Sequence, residues 1–198
     1  DMAETPDAFQ LVTSAADLAE ARRSGRFAVV LGIEGAQPIG EDLAVLRNLY
    51  RLGLRLVGLT WNYRNAVAAG VGEGPRAGGL SRFGAAVIEE MNRLGMLIDV
   101  SHLADPGVRD VLEVSTRPIL ASHSNSRALR NHPRNLPDDL IRRIAEKGGV
   151  VGAVFYPGFV GERPTLADVG RHVLYLLDVA GEDHVGLGPD FIDFALDL

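Results

Sequence analysis

The sequence lacks cysteine altogether, and Lys147 is its one lysine. The absence of cysteine excludes disulfides, thiolate metal sites and cysteine catalysis. No apolar run approaches the ~20 residues that a membrane helix needs, and the opening DMAETPDAFQ is not a signal-peptide pattern. We therefore expect no membrane segment and favour a cytoplasmic location. The net charge of −6 argues against a nucleic-acid partner.

Hydrophobic residues make up 46% of the sequence, which is enough to bury a core. The length of 198 residues predicts a single domain over 1–198. Short β-rich apolar runs alternate with segments of helical spacing. The runs are FAVVLGI (27–33), LRLVGLT (54–60), MLIDVS (96–101), PILAS (118–122), GVVGAVFY (149–156) and HVGLG (184–188). Ser81 is a candidate N-cap, and Thr165 with Asp168 approximates a capping box. The alternation predicts an α/β fold with parallel strands, either an open doubly wound sheet or a (β/α) barrel.

Polar residues follow the apolar runs at the point where each strand should end. They are Glu34, Trp61 with Asn62, His102, His123, Tyr156 and Asp190. The carboxyl ends of parallel strands share one face, and in barrels that face carries the active site. One glutamate and two histidines form a ligand set that catalytic zinc uses, and an aspartate nearby is a candidate proton acceptor.

Each of these residues also has a purely structural interpretation. A single histidine is more often a hydrogen-bonded structural residue than a ligand, Glu34 could be an ion-pair partner, and Asp190 could brace a loop. The pattern leaves a metal-dependent hydrolase and these structural roles open, and it does not identify a substrate.

Four longer stretches resemble the membrane dipeptidase (renal dipeptidase) family, the M19 metallopeptidases. They are GIEGAQPIGEDLAVLRNLYRLGLRLVGLTWN, GGLSRFGAAVIEEMNRLGMLIDVSH, ASHSNSRALRNHPRNLPDD and VGLGPDF, and the resemblance runs from about residue 27 to 194. It implies a (β/α)8 TIM-type barrel with two zinc ions, bridged by a glutamate and a water or hydroxide. It also implies a dipeptide substrate and a homodimer.

The resemblance assigns roles to individual residues. It implies that Glu34 bridges the two metals, and that His102 and His123 complete the ligands of one of them. Arg134 resembles the arginine that binds the C-terminal carboxylate of the dipeptide, and Asp190 resembles the aspartate that handles the proton. The implied reaction is zinc-dependent hydrolysis, in which the bridging hydroxide attacks the scissile carbonyl.

Two departures from the family pattern are visible. The family has a substrate-binding histidine where this sequence has Trp61, followed by Asn62, so these two residues become the expected substrate contacts. The family's first strand carries His-x-Asp, which supplies further ligands of the other metal, and this sequence contains no His-x-Asp. The six predicted strands then correspond to strands three to eight of the barrel. We expect a truncated chain that holds at most one metal tightly and has little activity by itself.

Two other functions stay open. A different metal-dependent hydrolase of the amidohydrolase type would need His-x-His and a bridging lysine or carboxylate, and Lys147 lies in a helical pattern. A non-catalytic remnant of a dipeptidase would keep a structural or binding role.

Overall fold

The computed structural model describes residues 8–191, so residues 192–194, the end of the family resemblance, lie outside it. The strands are β1 Phe9–Leu11, β2 Phe27–Val29, β3 Leu31–Glu34, β4 Leu54–Gly58, β5 Leu97–Asp99, β6 Leu120–Ala121, β7 Val150–Ala153 and β8 Val185–Leu187. The α-helices are α1 Ala15–Ser24, α2 Leu43–Arg51, α3 Arg82–Leu94, α4 Asp105–Val114, α5 Asp138–Glu146, α6 Pro157–Val160 and α7 Leu166–Ala180. Short 3-10 helices cover Gln37–Ile39, Val71–Arg76 and Glu182–His184.

The main sheet has six parallel strands in the order β3-β4-β5-β6-β7-β8. Each strand pairs with the next one along the chain, so the sheet winds in one direction throughout. A doubly wound sheet reverses its direction at a switch point. The strand order therefore decides between the two architectures that the sequence left open, in favour of the barrel type.

The first apolar run is not one strand, as the sequence predicted, but two. Residues 27–29 form β2, which pairs in parallel with β1, whereas residues 31–34 form β3, which pairs with β4. The two halves have different partners, and the register of β3 shifts between Leu31 and Gly32. A run of apolar residues shows that a segment is buried but not which neighbour it pairs with, so the break at Val30 was not visible in the sequence.

Local signals for the helix ends are confirmed. The Ser81 hydroxyl accepts a hydrogen bond from the Gly84 amide at 2.8 Å at the start of α3. The Thr165 amide donates to the Asp168 carboxylate at 2.6 Å, which completes the capping box of α7. These bonds satisfy amides that have no partner inside the helix.

The core lies between the sheet and the helices that cover its outer face. Fully buried side chains from the strands, such as Val57, Ile98 and Val151, belong to one apolar cluster with Leu140 and Ile144 of α5. Within residues 8–191, β3 and β8 are the two edges of the main sheet, and Leu31 and Leu187 on them are 40% and 67% exposed. None of the helices in this range has the length and apolarity needed to cross a bilayer.

Candidate metal centre

Glu34, His102 and His123 meet at the carboxyl ends of β3, β5 and β6. Oε1 of Glu34 lies 2.9 Å from Nε2 of His102 and 3.4 Å from Nε2 of His123. One ligand atom from each of the three residues lies within 4.8 Å of the other two. Residues separated by up to 89 positions thus form one cluster, as the parallel strand ends predicted.

His102 is held in an uncommon backbone conformation. Its φ is 68°, in the left-handed region, and Asp190 with a φ of 61° is the other non-glycine residue within 8–191 that has a positive φ. Such conformations are unfavourable for residues with a Cβ and tend to occur at functional sites. Nδ1 of His102 lies 2.9 Å from Oδ1 of Asn62. Because an amide oxygen only accepts, Nδ1 of His102 carries the proton.

His123 is oriented by a neighbour of its own. Its Nδ1 lies 2.7 Å from the Ser122 hydroxyl, and its ring centroid is 5.0 Å from that of His102. Nε2 of His123 is buried, and its 3.4 Å approach to Glu34 lacks hydrogen-bond geometry, so among the described residues it has no hydrogen-bond partner. This nitrogen faces a carboxylate and a second imidazole. A buried ring nitrogen with a free lone pair in such surroundings is suited to bind a metal.

The charges of the cluster also suit a cation. Contact with His102, and then with His123, holds the pKa of Glu34 far below its usual range, so Glu34 is a carboxylate at neutral pH. Burial lowers the pKa of His102 and outweighs the opposing effect of the nearby Glu34 carboxylate, so this ring is neutral at neutral pH. Two histidines and one carboxylate are a known zinc ligand set with a further coordination position. The residues present therefore fit one zinc ion.

A cavity of about 540 Å³ opens over this cluster. Its walls are formed by Glu34, Trp61, Asn62, His102, His132, Tyr156, Gly158, Phe159 and Asp190. The cavity thus brings together the predicted residues from the ends of β3, β4, β5, β7 and β8. Its volume lies in the range of small-molecule sites. The half-exposed Trp61 ring stacks on His102 with centroids 5.9 Å apart.

Arg134 lies beside the cavity but is not one of its wall residues. Its side chain is buried, Nη2 is 3.4 Å from the His123 carbonyl oxygen, and Nε has no hydrogen-bond partner among residues 8–191. Its guanidinium carbon is 5.2 Å from the ring centroid of Phe159, which does line the cavity. Burial lowers the pKa of Arg134 to about 10 against the attraction of Asp99, Glu34 and Asp190. Arg134 is therefore charged at neutral pH.

Comparison with known proteins identifies the relatives of this chain. The sequence profile of the membrane dipeptidase family, peptidase family M19, matches residues 2–197. The chain belongs to the membrane dipeptidase family. An uncharacterized dipeptidase of Schizosaccharomyces pombe is 41% identical to it over 181 residues, which are 88% of this chain and 44% of that protein.

Two solved structures show where this chain fits in the family fold. An amidohydrolase of Pseudomonas aeruginosa superposes with a TM-score of 0.90 at 30% identity, over 97% of this chain and 59% of the other. A metallopeptidase of Rhodobacter sphaeroides was solved with a phosphinate mimic of the dipeptide L-Ala-D-Ala. It superposes with a TM-score of 0.88 at 35% identity, over 93% of this chain and 56% of the other. The fold is thus part of a TIM-type barrel, and the chain spans about half the length of the curated dipeptidase relative.

Sequence reasoning missed three contributors to this membrane dipeptidase site. Phe159, which lies in the short helix α6, gave no signal, because an aromatic residue just after a strand fits an ordinary core position equally well. The sequence alone leaves the role of His132, a loop histidine, open, because its place in the cavity wall depends on the fold. Asp99 did carry a signal, because it is a carboxylate inside the apolar run MLIDVS, where a buried strand needs no charge.

Proposed function

We propose that this chain is part of a zinc-dependent dipeptidase that hydrolyses the peptide bond of dipeptides. The observation that carries the proposal is the convergence of Glu34, His102 and His123 on one point at the base of a cavity, in a member of the dipeptidase family. The dipeptide mimic bound by the Rhodobacter sphaeroides relative supports this substrate class.

Glu34, His102 and His123 would hold the zinc ion, and by the family resemblance Glu34 would also be a ligand of the second metal. Zinc bound there would supply Lewis acidity to the scissile carbonyl and activate water for its attack. Asp190, in the wall of the same cavity, accepts the proton from the attacking water and returns it to the leaving amine.

Arg134 binds the C-terminal carboxylate of the dipeptide. Its buried guanidinium has an Nε without a hydrogen-bond partner among residues 8–191, and a substrate carboxylate would satisfy it. Phe159 lies over the guanidinium and must shift for direct contact. Trp61 and Asn62 line the same cavity, where they would contact the substrate, and Asn62 also orients His102.

The second zinc ion of the complete enzyme takes its remaining ligands from residues outside this chain. Two observations support this part of the proposal: the chain spans 44% of the length of its Schizosaccharomyces pombe relative, and the described residues form the ligand set of one metal. The exposed edge strands β3 and β8 would pair with the remaining barrel strands. The homodimer and the cytoplasmic location stay predictions.

A lysine-bridged amidohydrolase site is disfavoured by the position of Lys147. This residue follows the last turn of α5, and its ammonium donates to the Leu112 carbonyl at 2.9 Å, at the helix layer outside the sheet. It has no part in the cluster at the strand ends.

The test is metal content and dipeptide hydrolysis by the full protein. We expect zinc in the purified enzyme, loss of hydrolysis on chelation, and recovery when zinc is restored. His123→Gln should abolish activity and lower zinc content. His184→Gln is the matched control, because Nδ1 of His184 bonds the Gly149 carbonyl at 2.8 Å, away from the cavity. Full activity in the chelated enzyme or in His123→Gln would refute the proposal.

A second measurement addresses the missing ligands. The 198-residue chain should bind at most about one zinc ion tightly and turn over dipeptides poorly, whereas the full protein binds two. Two tightly bound zinc ions per 198-residue chain would contradict the assignment of ligands to residues outside it.

A further inference from the structure

A buried carboxylate lies behind the metal cluster and contacts no metal-ligand side chain directly. Asp99, at the end of β5, is 3% exposed. Its Oδ1 accepts hydrogen bonds from the amides of Ser101 at 3.0 Å and Ser122 at 2.9 Å. Its Oδ2 accepts from the Ser122 hydroxyl at 2.5 Å. The two oxygens therefore have distinct partners: one binds backbone amides, and the other binds a hydroxyl.

The Ser122 hydroxyl connects Asp99 to His123. Its oxygen is 2.5 Å from Oδ2 of Asp99 and 2.7 Å from Nδ1 of His123. A hydroxyl has one proton, and a carboxylate has none to give, so the proton of Ser122 lies on the short contact to Asp99. Ser122 then accepts from His123, which fixes the proton of His123 on Nδ1. The lone pair of Nε2 is left free, and this is the nitrogen that faces Glu34.

The backbone that carries this connection is held tightly. A Cβ at Gly152 would lie 2.1 Å from the Ser122 carbonyl oxygen, and one at Gly188 would lie 1.8 Å from it. Only glycine allows the neighbouring strands to approach so closely. The His123 amide also donates to the Ser101 hydroxyl at 3.0 Å. Ser122 and His123 thus have little freedom to change their positions relative to Asp99.

We propose that Asp99 is a positioning residue that acts through the Ser122 hydroxyl to hold His123 in its Nδ1–H tautomer, with Nε2 free for the metal. This inference rests on the proposed zinc site. It assigns a role to a residue that does not bind the metal itself. Carboxylates commonly orient metal-binding histidines by accepting the proton of the second ring nitrogen. Here a serine hydroxyl is interposed between the carboxylate and the ring.

The other histidine of the site provides an internal comparison. Nδ1 of His102 donates to the amide oxygen of Asn62 at 2.9 Å, without any link to Asp99. Both imidazoles therefore offer Nε2 to the same point, but through independent partners. A change at Asp99 should alter the tautomer of His123 and leave that of His102 as it is.

Asp99→Asn tests the role with little change in shape. The amide oxygen must face the two backbone amides, because an NH2 group there would oppose two donors. The NH2 group then faces the Ser122 hydroxyl and donates to it. Ser122 must turn its proton toward Nδ1 of His123, which moves the imidazole proton to Nε2. In serine proteases the equivalent Asp→Asn change inverts a histidine tautomer with the fold intact.

The measurement is the long-range 1H–15N correlation pattern of the imidazole rings in the full protein after metal removal, at a pH where the rings are neutral. We expect Nδ1–H for both histidines in the wild type, and Nε2–H for His123 alone in Asp99→Asn. Zinc affinity, measured by chelator competition, should fall by about 10- to 100-fold. Neither readout depends on catalytic activity.

Two further variants keep the test decisive. Asp138→Asn is the matched control: Asp138 accepts from the hydroxyls of Ser126 at 3.0 Å and Tyr175 at 2.7 Å, away from the cluster. It should change neither the tautomer of His123 nor zinc affinity. Ser122→Ala, for use where Asp99→Asn does not fold, removes the connection and should weaken zinc binding about tenfold, leaving His123 without a fixed tautomer.

An Nδ1–H tautomer of His123 retained in Asp99→Asn, or in Ser122→Ala where Asp99→Asn does not fold, would overturn the role of Asp99 while leaving the dipeptidase proposal intact. Absence of zinc binding in the wild type would instead overturn the dipeptidase proposal, whatever the tautomer. The two failures are therefore distinguishable.

Discussion

Replacement of Arg134 by methionine should make the substrate-free protein more stable and a poorer enzyme. Arg134 is 5% exposed, Nε has no partner within residues 8–191, and Nη2 makes a long hydrogen bond of 3.4 Å to the His123 carbonyl oxygen. A buried cation whose donors are only partly satisfied costs folding free energy. Methionine is close to arginine in length, has no charge to desolvate and can fill the same space.

The size of the effect follows from the pKa of Arg134, which burial lowers from 12.5 to about 10. This net value already includes the attraction of Asp99, Glu34 and Asp190. At about 1.4 kcal/mol per pKa unit, keeping the charge costs roughly 3 kcal/mol in the folded state. Because the pKa is lowered on folding, the cost is fully present below about pH 10 and declines as pH rises further. Arg134→Met should recover about 1–3 kcal/mol.

The assay combines unfolding and kinetics. Denaturant unfolding of the chelated protein at pH 7 should show the gain in the free energy of unfolding, and thermal unfolding should show a rise of about 2–4 °C per kcal/mol. The kcat/KM for a dipeptide should fall about 100-fold, which corresponds to the loss of charge-assisted hydrogen bonds worth about 3 kcal/mol. For a dipeptide with an amidated C-terminus, kcat/KM should fall only slightly, because this substrate has no carboxylate for Arg134 to bind.

Arg127→Met is the matched comparison. Nη1 and Nη2 of Arg127 donate to the two carboxylate oxygens of Asp105 at 2.6 and 2.8 Å. Nε donates to the Asn135 carbonyl at 2.9 Å. Loss of this bidentate pair should destabilise the protein by about 1–2 kcal/mol. The assignment of Arg134 to the substrate carboxylate would be wrong if Arg134→Met destabilised the protein as much as Arg127→Met does. It would also be wrong if Arg134→Met lowered kcat/KM equally for the free and the amidated dipeptide.

Two further predictions concern proton transfer and a buried carboxylate paired with partly exposed arginines. Asp190→Asn should reduce kcat by about 100- to 10,000-fold with zinc content unchanged, and unaltered turnover would exclude the proton-transfer role. Glu90 has its pKa lowered to about 2 by hydrogen bonds from Arg93 and Arg47. Glu90→Gln should cost about 1 kcal/mol at pH 7, after allowance for solvent screening. Because the folded-state pKa is lowered, the difference between wild type and variant should be constant above about pH 4.5 and vanish as pH falls toward 2; a pH-independent difference would contradict the ion-pair origin.

Much of the local structure could be predicted because its causes are local. The Ser81 cap and the Thr165–Asp168 capping box depend on residues within four positions of each other, and both are present. The apolar runs predicted a strand in each position, since alternation of buried strands with amphipathic helices admits few arrangements. The strand β1 was not among the predicted runs, and the single strand predicted over 27–33 is two strands, because the outcome depended on pairing with β1 and β4.

The metal cluster could also be anticipated, because parallel strands place their carboxyl ends on one face. Glu34, His102 and His123 stood out as polar residues that end apolar runs, and the structure brings them together. The local geometry that suits them to a metal ion was not predictable in this way. The positive φ of His102 and the free Nε2 of His123 depend on contacts across the sheet.

The sequence determined the order of strands and helices, the family, and the identity of the three residues that form the metal cluster. The tertiary structure decided which strands pair, that Phe159 covers Arg134, and that Asp99 reaches His123 through Ser122. The physical reason is the separation along the chain between the residues that interact. Periodicity and capping act over a few residues along the chain, whereas a hydrogen-bond partner or a covering ring is selected by packing between segments far apart in sequence.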